Sequence, residues 1–104
     1  MKKVLLNLVL GASLGFASTI MAADGKALYT QKLCQTCHGS EGSNPIAPMY
    51  PKLNGQNSTY LLNQIKDIKS GKRNNGLSMI MKPMVAALSE ADMEAIADYL
   101  SKVK

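Results

Sequence analysis

Cys34-Gln35-Thr36-Cys37-His38 is the stretch on which the reading of this chain turns. Thiols three positions apart fall on one side of a helical turn. Each can add to one vinyl group of the same porphyrin, and the histidine that follows is carried under the ring, where its imidazole can bind iron. Cys-x-x-Cys-His is for that reason the attachment signature of c-type haem. The rival readings fit worse. A thioredoxin-like redox pair sits beside a strand–helix unit, and no alternating strand pattern precedes Cys34. A tetrahedral zinc site takes four ligands, whereas the chain has two Cys and one His, so acidic residues would have to complete it. A plain structural disulfide leaves His38 without a role.

Because His38 is the only histidine, ligation by two imidazoles is excluded. The sixth iron ligand is then a methionine, a rarer group such as lysine, or nothing. Beyond residue 23 the methionines are Met49, Met79, Met81, Met84 and Met93. Met93 lies on the apolar stripe of a helix, where core packing explains it. Met49 stands near His38 in sequence, among prolines, and is poorly placed to reach the opposite face. The cluster Met79-Ile80-Met81-Lys82-Pro83-Met84 lies far downstream, as a strap crossing the other face must. Lining the pocket is the alternative role for each of these three, and the residues alone do not choose among them.

The first segment is an address rather than part of the fold. Lys2 and Lys3 precede an apolar run from Val4 to Ala17, and small residues close it at Met21-Ala22-Ala23. This describes a secretory signal peptide over residues 1–22, cleaved after Ala22 or Ala23. The run is shorter than the ~20 apolar residues that span a bilayer, so an uncleaved anchor is the minor alternative. Residues 23–104 form the haem domain, and export delivers it to an oxidising compartment, the periplasm, where haem is attached.

The whole chain has 104 residues, 46% hydrophobic and 18% charged, which excludes a disordered tail and allows one small domain. Its net charge of +5 on its face invites nucleic acid or a membrane surface. Losing Lys2 and Lys3 lowers it to +3, and two haem propionates would bring it to about +1. Nucleic-acid binding is therefore not implied. Four Tyr, one Phe and no Trp leave the core short of rings. A domain this small usually needs a staple, and a covalent porphyrin supplies both staple and ring.

Helical patterns account for most of the rest. A first helix is expected from Asp24, as N-cap, to about Cys34, with Leu28, Tyr29 and Leu33 on a partial apolar face. Residues 39–57 read as loop, with Pro45, Pro48 and Pro51 forbidding regular structure. A second helix runs from about Ser58, which can cap it, to Ser70, with Leu61, Leu62, Ile65 and Ile68 on one face and Gly71 as terminator. Residues 71–76 read as loop. The last helix opens at Ser89, where Ser89 and Asp92 approximate a capping box, and Met93, Ile96, Ala97 and Leu100 follow at i, i+3, i+4, i+7. The expected fold is all-α, with three to four short helices.

With those residues in hand, the chain resembles a short bacterial class I cytochrome c, and equally one half of the dihaem periplasmic cytochromes c. The resemblance covers essentially all of residues 23–104. Gly25-Lys26-Ala27-Leu28-Tyr29 leading into Cys34–Gly39 is similar to the family's opening helix, and Pro48–Gln56 to its proline-rich pocket segment. Tyr60–Ile65 resembles its middle helix, and Leu88–Leu100 its last. The family's ligating methionine stands seven residues before the Leu-Ser that opens the last helix, which implies Met81 as distal ligand, with Met84 and Met79 as alternatives. The resemblance also implies Cys34 and Cys37 as the covalent haem attachments, His38 as proximal iron ligand and Pro48 as the carbonyl facing the second imidazole nitrogen, with Pro45 next. Tyr50 and Tyr60 count among the cofactor-binding residues, and the first and last helices cross near Gly25 and Tyr99.

The implied function is one-electron transport by one haem c, without an enzyme activity or a small-molecule substrate. The partners are redox proteins: a membrane quinol-oxidising complex or dehydrogenase as donor, a terminal oxidase or reductase as acceptor. The alternatives are a haem subunit of a periplasmic dehydrogenase or oxidase, and a haem sensor with a labile sixth ligand. Lys52, Lys66, Lys69, Lys72, Arg73 and Lys82 stand against Asp67 alone within residues 52–82, a set that could steer an acidic partner to a monomer of this chain.

Overall fold

The structure, a computed structural model, describes residues 24–104. The expected signal peptide, residues 1–22, lies outside the described residues. Among those described there are five α-helices, one 3-10 turn and no strand. The all-α expectation holds, with more helices than expected.

Helix α1 spans Gly25–Gln31, and Asp24 caps it by accepting from the amides of Lys26 and Ala27. It stops short of Cys34, unlike the sequence expectation. Leu33 takes a left-handed conformation (φ 62°), the Leu33 amide donates to Thr30 and the Cys34 amide to Tyr29. These two bonds close a Schellman motif, with leucine where glycine is usual. The left-handed residue costs roughly 1–2 kcal/mol, and it frees Cys34 to begin a new turn in another direction. Leu33 consequently lies on the surface rather than on the apolar face.

That new turn is α2, Gln35–His38, followed by a 3-10 turn at Ser40–Gly42. Helix α3 spans Ser58–Ser70; Asn57 rather than Ser58 caps it, accepting from the Tyr60 amide, and Gly71 ends it in the left-handed region. Helix α4, Ser78–Val85, was not foreseen: it forms the methionine strap and runs through Pro83. Proline there removes the hydrogen bond that Met79's carbonyl would accept, at an exposed residue where water can replace it. Helix α5, Glu90–Lys102, opens on a complete capping box between Ser89 and Asp92.

Helix α5 is the centre of the packing. Its stripe of Met93, Ile96, Ala97 and Leu100 is buried, as its spacing requires, against Tyr29 of α1 and Leu61 and Ile68 of α3. Helix α4 packs on α3 and adds Val85, with Leu88 just beyond it. Helices α1 and α5 meet at Gly25, where a Cβ would lie 2.0 Å from the Ala95 carbonyl oxygen.

Candidate haem site

The site grows from α2. Cys34 and Cys37 are free thiols, both half-buried, and Cys34 packs against the core. Burial pushes the Cys34 thiol pKa up. His38 is buried, and its Nδ1 lies 2.9 Å from the carbonyl oxygen of Pro51. An imidazole that donates from Nδ1 keeps its Nε2 lone pair free for a metal. The rings of Tyr50 and His38 meet in a T-shaped pair, with centroids 6.4 Å apart.

Pro51, not Pro48, therefore faces the imidazole. The Tyr50 amide donates to Ala47, which makes Pro48 the second residue of a tight turn. Proline suits that corner because its φ is preset. The turn redirects the loop, and the chain leaving it presents Pro51. Its position is then fixed downstream: Leu53 donates to the Gly42 carbonyl at 2.7 Å, and Gly55 to Leu100 at 2.9 Å. The proline loop is thus pinned both to the turn after His38 and to the end of α5. Pro45 does not take the role either.

Sequence reasoning also missed the part played by Tyr29. Its buried hydroxyl donates to the Gly39 carbonyl at 2.7 Å, and its ring meets that of Tyr99 at 6.0 Å. Gly39 (φ 86°) has no room for a side chain, since a Cβ would lie 2.0 Å from the Asn44 carbonyl oxygen. His38 is thereby held through its ring by Pro51 and through the following residue by Tyr29. No local pattern announces the second contact, because it joins α1 to the residue that follows α2.

Burial above all, with Cys34 and Tyr99 adding to it, raises the Tyr29 hydroxyl pKa above its ordinary value. Unfolded, the group ionises near pH ~10; folded, it keeps its proton above that. Its contribution to stability is complete below about pH 10 and is lost as pH rises further, by up to ~1.4 kcal/mol per pH unit. Tyr29→Phe leaves the Gly39 carbonyl unpaired, so it should cost roughly 1–3 kcal/mol at neutral pH and remove this share of the alkaline loss. Urea unfolding at about pH 8 and about pH 11 checks both.

The methionines separate by environment. Met81 is half-buried and packs against the core cluster, whereas Met79, Met84 and Met49 are exposed and Met93 is buried within the core. Tyr60 is exposed on the first turn of α3.

The sequence model of the cytochrome c family matches residues 22–104. The chain belongs to the cytochrome c family. This cytochrome c is 36% identical over 104 residues to cytochrome c-553 of Nitratidesulfovibrio vulgaris, covering 99% of this chain and 100% of that protein. It is 44% identical over 68 residues to cytochrome c-554(548) of Halomonas halodenitrificans, covering 65% of this chain and 81% of the relative. Among solved structures, reduced recombinant cytochrome c4 from Pseudomonas stutzeri superposes with a TM-score of 0.63 at 39% identity, over 80% of this chain and 47% of that one. This cytochrome c thus spans about half of the cytochrome c4 chain and the full length of the c-553. Like its family, it is a one-electron carrier built on covalently bound haem c. The site residues fit that group: thiols at both ends of one helical turn, and a buried imidazole whose Nδ1 is already bonded. No helix among the described residues is long and apolar enough to cross a membrane.

Proposed function

We propose that this cytochrome c is a periplasmic one-electron carrier, without catalytic activity of its own, in which His38 and Met81 hold the iron of a haem attached to Cys34 and Cys37. Haem c supplies the Fe(III)/Fe(II) couple. The observation that carries the reading is the His38 Nδ1 contact with Pro51 at 2.9 Å, which orients the ring and leaves Nε2 free for an iron. A carbonyl on the far nitrogen also makes the imidazole a stronger donor. Met81 is half-buried in a strap whose ends, Ser78 and Val85, are buried. A thioether ligand favours the ferrous state and raises the potential. With His38 and Met81 holding the iron, the chain would leave no coordination site open to a substrate, and little would have to move when an electron arrives or leaves. These are the requirements of a carrier rather than of a sensor or an oxidase subunit.

Donor and acceptor are redox proteins that meet the carrier transiently, across interfaces at the small end of the usual range. A quinol-oxidising complex or dehydrogenase suits the first role, and a terminal oxidase or reductase the second. Much of the basic set in residues 52–82 is engaged within the fold. Lys66 pairs with Glu90 at 2.7 Å, Arg73 donates to Gln64 at 2.9 Å, and Lys69 bonds to the Leu88 carbonyl. Lys52 and Lys72 are left exposed for steering an acidic partner. The function is tested by redox titration of the purified holoprotein followed in its far-red spectrum.

A further inference from the structure

The segment between α3 and α5, which carries Met81 on α4, is bonded back to α3 on both sides of that strap. On the entering side, the Arg73 amide donates to the Asp67 carbonyl and its guanidinium to Gln64, both at 2.9 Å. On the leaving side, the half-buried ammonium of Lys69, on the last turn of α3, donates to the carbonyl oxygen of Leu88. Leu88 is 1% exposed, and its own amide donates to Val85 at 3.1 Å, closing the end of α4. A carbonyl in so buried a residue has little access to water, and a charged donor makes a stronger bond to it than a neutral one. Lys69 and Leu88 lie nineteen residues apart, one on α3 and the other in the turn between α4 and α5. Their bond is therefore a clasp between the helix and the strap rather than a local cap.

We propose that Lys69 is a positioning residue for the distal iron ligand: by clasping the strap to α3 it sets how readily Met81 leaves the iron. This rests on the assignment of Met81. Displacing the methionine requires the strap to lift, and lifting it breaks the Lys69–Leu88 bond. Removing the donor while keeping the aliphatic stem should make lifting easier without emptying the space the side chain fills. Lys69→Met serves for this, because methionine is unbranched and apolar. Lys69→Arg keeps a charged donor and should restore the clasp. Lys66→Met removes a positive charge from the same helix at the exposed pair with Glu90, and so controls for net charge.

The experiment titrates the ferric holoproteins with imidazole and follows loss of the far-red band that a methionine sulfur gives with ferric iron. Lys69→Met should bind imidazole about tenfold more tightly than wild type, equivalent to ~1.4 kcal/mol. Lys69→Arg and Lys66→Met should stay near wild type. Wild-type affinity in Lys69→Met, or the same gain in Lys66→Met, would overturn the proposal. A wild type without the band would instead overturn the Met81 assignment, and this proposal with it. If Lys69→Met does not accumulate folded, the unmodified protein decides: through-hydrogen-bond coupling between the Lys69 ammonium nitrogen and the Leu88 carbonyl carbon supports the clasp, and a freely exchanging Lys69 ammonium without that coupling overturns it.

Discussion

Gly25→Ala should be among the most destabilising single-atom additions this protein can receive. The new Cβ would sit 2.0 Å from the Ala95 carbonyl oxygen and 2.7 Å from the Tyr99 Cβ. Both are anchored in α5, so no side chain can rotate out of the way. The helices must part, or α1 must restart later. Either change draws Tyr29 away from Tyr99 and loosens its bond to Gly39, next to His38, the proposed iron ligand. Overpacking of this kind costs typically 1–3 kcal/mol and occasionally more, and the upper end applies where backbone meets backbone. A loss of ~3 kcal/mol lowers the melting temperature of a domain this size by on the order of 15 °C. Gly76→Ala is the comparison: nothing lies within 4 Å of its Cβ, so it meets only the left-handed penalty of about 1–2 kcal/mol. Thermal unfolding of both holoproteins checks this: Gly25→Ala should lose more than Gly76→Ala, and equal losses would contradict a backbone contact at the α1–α5 crossing.

Met81→Ala should have the largest effect on function. Without the thioether the far-red band disappears, and the ferrous state loses the ligand that favours it. A drop in potential of at least ~59 mV follows if the balance between oxidation states moves tenfold for one electron. Stability falls less than for a core methionine, whose truncation costs roughly 2–5 kcal/mol, because Met81 is only half-buried. Met79→Ala and Met84→Ala remove exposed side chains from the same strap, and both should keep the band. A band that survives Met81→Ala and vanishes in Met84→Ala transfers the role to Met84.

What the sequence disclosed and what it hid divide along the range of the interactions. The attachment turn was legible because its chemistry demands contiguous residues. The stripe of α5 and its capping box were legible because both repeat within a turn or two. The break at Leu33 was hidden because a Schellman motif usually announces itself with glycine, and here a leucine bears the strain. Pro51 displaced Pro48 because the path of a loop depends on its anchors. Those anchors, Gly42 and Leu100, lie on other elements. The helix in the strap was obscured by Pro83, which reads as a breaker until packing on α3 overrides it. Lys69 looked like one of a solvated set of lysines, and only the folded chain brings it to Leu88. Family resemblance supplied what local pattern could not for the crossing at Gly25 and Tyr99, and it misplaced the proline.

As a carrier, this cytochrome c would hold its iron between His38 and Met81 and let nothing change there but the charge, by one electron. A potentiometric titration of the purified holoprotein, recorded through the far-red, tests it most directly. A carrier with His38 and Met81 on its iron gives one reversible, single-electron transition, with the methionine band present throughout the oxidised form and lost on reduction. An oxidised protein lacking that band would contradict it, and would return the sixth position to the open or exchangeable state of a sensor.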